Sequence, residues 1–157
     1  MIAQAEGGAG LRVGMVLGAS PWYRITQEQI SQFAQVTLDE DPMHVDPVWA
    51  QRNSPFGGTI AFGFQTLSLL THFSHQVSRV ARLRYALNYG FDRVRFMAPV
   101  PVDSRIRAHF TVAEVADRPD GGQRITLEVR VEIEGREKLA MVASWLFVTY
   151  ADPTPLA

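Results

Sequence analysis

Cysteine is absent from this chain, which removes disulfides, zinc-thiolate sites and thiol nucleophiles together. Net charge is nearly absent as well: fifteen basic residues stand against sixteen acidic ones, a formal charge of -1. The long-range positive field that nucleic-acid binding draws on is missing, so no nucleic-acid partner is expected. Long apolar runs are lacking too. No window reaches the ~18 consecutive apolar residues of a membrane span, and Met1 to Gly10 carries neither a basic leader nor an apolar run. A soluble cytoplasmic protein without a membrane partner is the expectation. The Gly57-Gly58 loop lacks the Gly-Lys-Ser/Thr ending of a phosphate loop, and no dinucleotide fingerprint follows a strand. ATP and nicotinamide chemistry are therefore not expected.

What is present suffices for one domain spanning residues 1–157, with an ordered core over about 12–150. Of its 157 residues, 46% are hydrophobic and 10% aromatic, enough for a core of ordinary size. Thr26-Gln27-Glu28-Gln29 has the form of a capping box, and Ile30, Phe33, Ala34 and Thr37 recur at helical spacing. A helix over about 26–38 follows. Asp46-Pro47, an N-cap acid before a proline, starts a second, short helix that ends near Asn53-Ser54-Pro55. A third and longest helix runs from Gly63 to about Val80, with Leu69, Phe73, Val77 and Val80 on one stripe.

After Asn88 the period becomes two. Ile106, Ala108, Phe110 and Val112 alternate with polar residues, as do Ile125, Leu127, Val129, Val131 and Ile133. Turn chemistry at 117–122 and 134–136 predicts an antiparallel meander. Leu139 to Tyr150 is apolar on both faces, which implies cover from the central helix on one side and from another subunit on the other. Helices followed by a meander wrapped on one long helix give an α+β domain.

The chemistry concentrates between residues 39 and 63. Asp39-Glu40-Asp41-Pro42-Met43-His44 places a carboxylate and an imidazole five residues apart, with a proline between them that keeps both off one regular helix. Held by a turn, the two groups can converge on one water. Gly63 stands at a helix entrance just downstream. An acid/base pair near a helix N-terminus is what adding or removing water beside a carbonyl requires. Spacing alone favours a plainer reading, in which Asp39 is a loop acid and His44 a satisfied turn histidine. Asp41 and Asp46 read as loop and N-cap residues. His72 and His75 lie three apart on the long helix, but no third ligand at metal spacing is visible, so no metal is expected.

Asp39 to Asp46 and Gly58-Thr59-Ile60-Ala61-Phe62-Gly63 resemble the MaoC-like dehydratase family, the (R)-specific enoyl-CoA hydratases of hotdog fold. That family's motifs read roughly Asp-x-Asn-Pro-x-His-x-Asp and Gly-x-x-Ile-Ala-His-Gly. Asp41 takes the Asn place here, and Phe62 the His place. The segment Asn88 to Phe96 resembles the subgroup that includes nodulation protein N. The resemblance implies an antiparallel sheet wrapped on a long central helix and reversible hydration of trans-2-enoyl thioesters to (R)-3-hydroxyacyl thioesters. It also implies a homodimer. With it, Asp39 and His44 become the pair that holds the water, and the Gly63 N–H the partner of the thioester carbonyl. Thr71 becomes a possible support for Asp39, against back-bonding to its own helix. No cofactor is implied beyond the coenzyme A or acyl-carrier-protein arm of the substrate. The phosphates of such an arm make Arg79, Arg82, Arg84, Arg93 and Arg95 docking candidates, while for Arg79 and Arg82 complementing the helix dipole is an equal explanation. Phe62 implies a bulkier acyl pocket or a lost activity. The alternatives are a non-catalytic acyl-thioester-binding protein and a hotdog thioesterase.

Overall fold

The computed structural model describes residues 10–77 and 85–150. Two short strands open the fold, β1 (Val16–Ala19) and β2 (Tyr23–Arg24). Helix α1 (Gln27–Thr37) begins at the expected capping box: Thr26 accepts from Gln29 N while the Gln29 side chain accepts from Thr26 N. Ile30 and Ala34 bury its inner stripe. The helix stops because Leu38 takes a left-handed conformation, φ 59°, from which the N–H groups of Leu38 and Asp39 both reach back to the Ala34 carbonyl.

The following stretch is more helical than the sequence suggested. Asp41 caps a single helical turn, α2 (Pro42–Val45), and Asp46 caps α3 (Pro47–Asn53), each aspartate accepting from a backbone N–H and each followed by a proline. Asp41-Pro42 thus repeats the Asp46-Pro47 signature, and His44 sits on α2 rather than in an open turn. Helix α4 (Gly63–His75) ends one turn before the expected Val80, where the Gln76 N–H bonds to the carbonyls of Phe73 and Ser74. Among the described residues no helix is long and apolar enough to cross a membrane.

Strands β3 (Tyr85–Phe96), β4 (Arg105–Asp117), β5 (Gln123–Ile133) and β6 (Met141–Tyr150) complete one antiparallel sheet in the order β1-β4-β5-β6-β3, with β2 also on β4. The expected meander is β4-β5-β6. Strand β3 instead closes the far edge, paired with β6. The alternating residues of β4 and β5 point into a core shared with Leu70 and Phe73 of α4, where each fully buried side chain contributes about 1.5–3 kcal/mol. At the β4–β5 hairpin, Arg118 pairs with Asp120, and Tyr150 donates to the same carboxylate at 3.0 Å. That ion pair, with a backbone bond from Gly122, holds the Asp120 carboxyl down at about 2.

Strand β6 corrects one expectation. One face of this strand was expected to need cover by a second subunit, yet Leu146 and Val148, on the face opposite Trp145 and Phe147, are only 6% and 4% exposed in the single chain. A run of uncovered apolar residues lies on β3, where Tyr85, Leu87, Tyr89 and Phe91 are exposed.

Candidate active site

His44 is held at three points. Its backbone N–H donates to Asp41 O at 2.9 Å, and its carbonyl accepts from the Gln27 side chain at 2.8 Å. Its ring Nδ1 lies 2.7 Å from Ile60 O. A carbonyl can only accept, so Nδ1 carries the proton and, in the neutral ring, Nε2 is left as the basic nitrogen. The ring stacks on Phe62 with centroids 3.8 Å apart.

The 59–61 segment that presents the Ile60 carbonyl is braced on its far side. Ala61 N donates to Val100 O at 2.8 Å, and Val102 N donates to Thr59 O at 3.0 Å. Between these segments lies a cavity of about 310 Å³, lined mainly by apolar groups, with His44, Ile60, Gly63, Phe96 and Met97 on its walls. Gly63 opens α4 there. Phe62, the N-cap, offers no side-chain hydrogen bond, so the first-turn N–H groups are uncapped and the positive end of the helix faces the pocket. A methyl on Gly63 would stand 3.2 Å from the Phe96 ring, so glycine is what lets ring and backbone meet this closely.

The structure therefore brings two of the expected residues, His44 and Gly63, to one pocket. Asp39 does not line it: it is exposed on the loop between α1 and α2, and its side chain accepts from Asp41 N at 3.3 Å. Asp46 is an N-cap, as read from the sequence, and Asp41, read there as a loop residue, is an N-cap as well. Thr71 is exposed on α4, away from the pocket and from Asp39's hydrogen bonds. Thr66, one turn past Gly63, lines the cavity instead. Arg93 lies 3.9 Å from the Glu128 carboxylate, and Arg95 donates to Val94 O. Both arginines are exposed and outside the pocket lining. Arg79, Arg82 and Arg84 lie outside the described residues. His72 is exposed beside Tyr23, and no cluster of three metal-ligating side chains occurs among the described residues.

Phe62 does not reshape the acyl pocket, the first of the two expectations for it. It is 5% exposed, between His44 and Phe33, and does not line the pocket. It narrows no acyl channel; it forms an apolar wall behind the imidazole. Spacing offered no sign of Gln27 and Thr59, which fasten the His44 segment from other elements. The strongly paired charges lie away from the site. At Glu132, burial alone would raise the carboxyl, but hydrogen bonds from His109 and Arg107 outweigh it and hold the group below its ordinary value.

The fold and pocket define a class: a hotdog-type α+β chain with one basic nitrogen and one open helix N-terminus on an apolar cavity. Its family follows from comparison. The family model described as "MaoC like domain" matches residues 9–136, and the chain belongs to that family. It is 44% identical over 142 residues to 3-hydroxyacyl-thioester dehydratase Z of Mycobacterium tuberculosis (strain ATCC 25618 / H37Rv), covering 90% of this chain and 91% of that one. It is 43% identical over 143 residues to nodulation protein N of Rhizobium leguminosarum bv. viciae, covering 90% and 89%. Among solved structures, an (R)-hydratase from A. caviae involved in PHA biosynthesis superimposes with a TM-score of 0.72 at 25% identity, over 89% of this chain and 97% of that one.

Proposed function

We propose that this chain reversibly hydrates trans-2-enoyl thioesters to (R)-3-hydroxyacyl thioesters. The observation that supports the reading is the shared pocket, which both His44, its Nδ1 committed to Ile60 O, and the uncapped N-terminus of α4 at Gly63 line among apolar walls. In the forward direction one O–H bond of water breaks and its oxygen bonds the β-carbon. The Cα=Cβ pair becomes a new Cα–H bond, and charge passes through the thioester oxygen. His44 binds the water from the pocket wall. Asp39, which the family motif pairs with it but which stands outside this pocket's lining on the exposed loop before α2, is proposed as the second acid/base group, the division of the two protons belonging to the pair. The Gly63 N–H and the helix dipole stabilise the enolate oxygen. Water and protons balance the reaction with no net change of oxidation state, and the proposed acid/base pair is assigned the proton transfers without a cofactor.

The substrate arm is coenzyme A or an acyl-carrier phosphopantetheine, met in the cytoplasm. Of the two described arginines considered for its phosphates, Arg93 already faces Glu128. Arg95, exposed and bonded only to its neighbour's carbonyl among the described residues, is the better candidate. The chain acts as a homodimer joined along β3, the sheet-edge strand that leaves Tyr85, Leu87, Tyr89 and Phe91 exposed.

Loss of enoyl conjugation, followed by absorbance with short and medium trans-2-enoyl-CoA substrates and with a thiol reagent in parallel, tests the reaction. Decay of the enoyl band without free thiol is the expected result. Thiol release would point to a thioesterase, and saturable binding without turnover to a non-catalytic acyl-thioester binder.

A further inference from the structure

Gln27 occupies the first position of α1, yet its side chain is turned towards the catalytic loop rather than to solvent. Its amide nitrogen donates to His44 O at 2.8 Å and to Ser31 Oγ at 3.3 Å. Its amide oxygen accepts from the hydroxyl of Thr59, a residue only 2% exposed. Thr59 directly precedes Ile60, whose carbonyl receives the Nδ1–H of His44. The contacts close a ring: Gln27 to the His44 main chain, the His44 imidazole to Ile60, Thr59 back to Gln27. The two loops that must agree on the orientation of one imidazole are tied to each other through one amide.

We infer that Gln27, through Thr59, is a positioning residue that fixes the tautomer and direction of the His44 imidazole. The inference rests on His44 being the reacting base. The chemistry needs an amide here. Both donors and the acceptor of the side chain are in use, and a carboxylate would present only acceptors to the His44 carbonyl. An apolar side chain of equal length would leave the buried Thr59 hydroxyl and the His44 carbonyl unpaired. Neither Gln27 nor Thr59 lines the pocket, so their loss acts on geometry and not on substrate contact.

The test uses Gln27→Met, Thr59→Val, Thr59→Ser and the double variant Gln27→Met/Thr59→Val, each checked for folding by circular dichroism. Steady-state hydration of a trans-2-enoyl-CoA is measured for each. The nitrogen-15 spectrum of the imidazoles is recorded in parallel, with His44 assigned by its disappearance in His44→Ala. The expected result is a kcat lowered about tenfold to a hundredfold in Gln27→Met and Thr59→Val, with KM little changed. Thr59→Ser, which keeps the hydroxyl, recovers most of that loss. The double variant is no worse than either single, because both break the same ring. The His44 signal moves from the Nδ1-protonated tautomer to a mixture. Folded Gln27→Met and Thr59→Val that keep both kcat and tautomer would overturn the inference, as would full additivity. Should the unaltered protein turn over no enoyl thioester, the hydratase reading fails by itself. An unchanged tautomer in both variants then overturns the positioning role, and a mixed tautomer upholds it.

Discussion

The rings of His44 and Phe62 stack with centroids 3.8 Å apart and planes 27° from parallel. With Nδ1–H committed to Ile60 O on its edge, the imidazole is fixed both in its plane and against its face. Phe62→Leu keeps most of the apolar volume and removes the aromatic face. An aromatic pair contributes about 0.5–1.5 kcal/mol beyond its buried area, so a fall in kcat of about twofold to tenfold is expected. The same variant loses less than about 1.5 kcal/mol of stability in denaturant titration. Unchanged kcat would show that the stack has no part in orienting His44.

Gly63→Ala isolates the close approach at the helix entrance. The added methyl would stand 3.2 Å from the Phe96 ring, and Phe96, 48% exposed, has room to swing away. Stability should therefore barely move, a melting shift within about 4 °C. By contrast, kcat/KM should fall about tenfold, because the pocket wall moves while the N–H donor stays. Steady-state kinetics beside thermal unfolding separates the two effects.

Leu38 carries strain immediately before Asp39. It is 89% exposed and left-handed at φ 59°, so it suffers the steric penalty of that region with little burial in return. Left-handed backbone costs a non-glycine residue about 1–2 kcal/mol, and glycine's added chain entropy cancels about half of that. Leu38→Gly should raise the melting temperature by about 2–4 °C. A lower melting temperature would mean that the leucine side chain makes a contact worth more than the strain, such as one with a second subunit.

Acid sensitivity should trace in part to the β4–β5 hairpin. The hydrogen bond from Arg118 holds Asp120 at about 2, below its ordinary 3.8. A depressed carboxyl contributes stability above its unfolded value and loses it as pH falls through the folded one. The contribution is thus complete above about pH 4 and gone near pH 2. Asp120→Asn should flatten the acid limb of the stability curve within that window and leave its slope unchanged above it. Unfolding midpoints collected across pH 2–6 would reveal an unaltered acid limb if the pairing contributes nothing.

Local signals made the helix starts legible. The Thr26/Gln29 box and the Asp46-Pro47 step appear as read, because caps depend on residues adjacent in sequence. Asp41-Pro42 carried the same signal and starts α2. The long alternations of β4 and β5 were equally plain. Strands β1 and β2 were not: four and two residues are too few to show a period, and they are fixed by pairing with β4 far along the chain. The left-handed Leu38 had no glycine or asparagine to announce it. At the site, the motif singled out His44 and Gly63, and both line one pocket. The orientation of Phe62 and the ring through Gln27, 17 residues from His44, arise from tertiary contacts that spacing does not encode.

The most direct test of the central claim is the hydration rate of His44→Ala and Asp39→Asn against the unaltered protein. Folding and acyl-CoA binding of each variant are verified separately. Loss of an acid/base group of the proposed pair should lower kcat by about 10²–10⁴-fold in each while substrate binding persists. A folded His44→Ala protein that hydrates enoyl-CoA at the unaltered rate would contradict the assignment of this pocket as the catalytic centre.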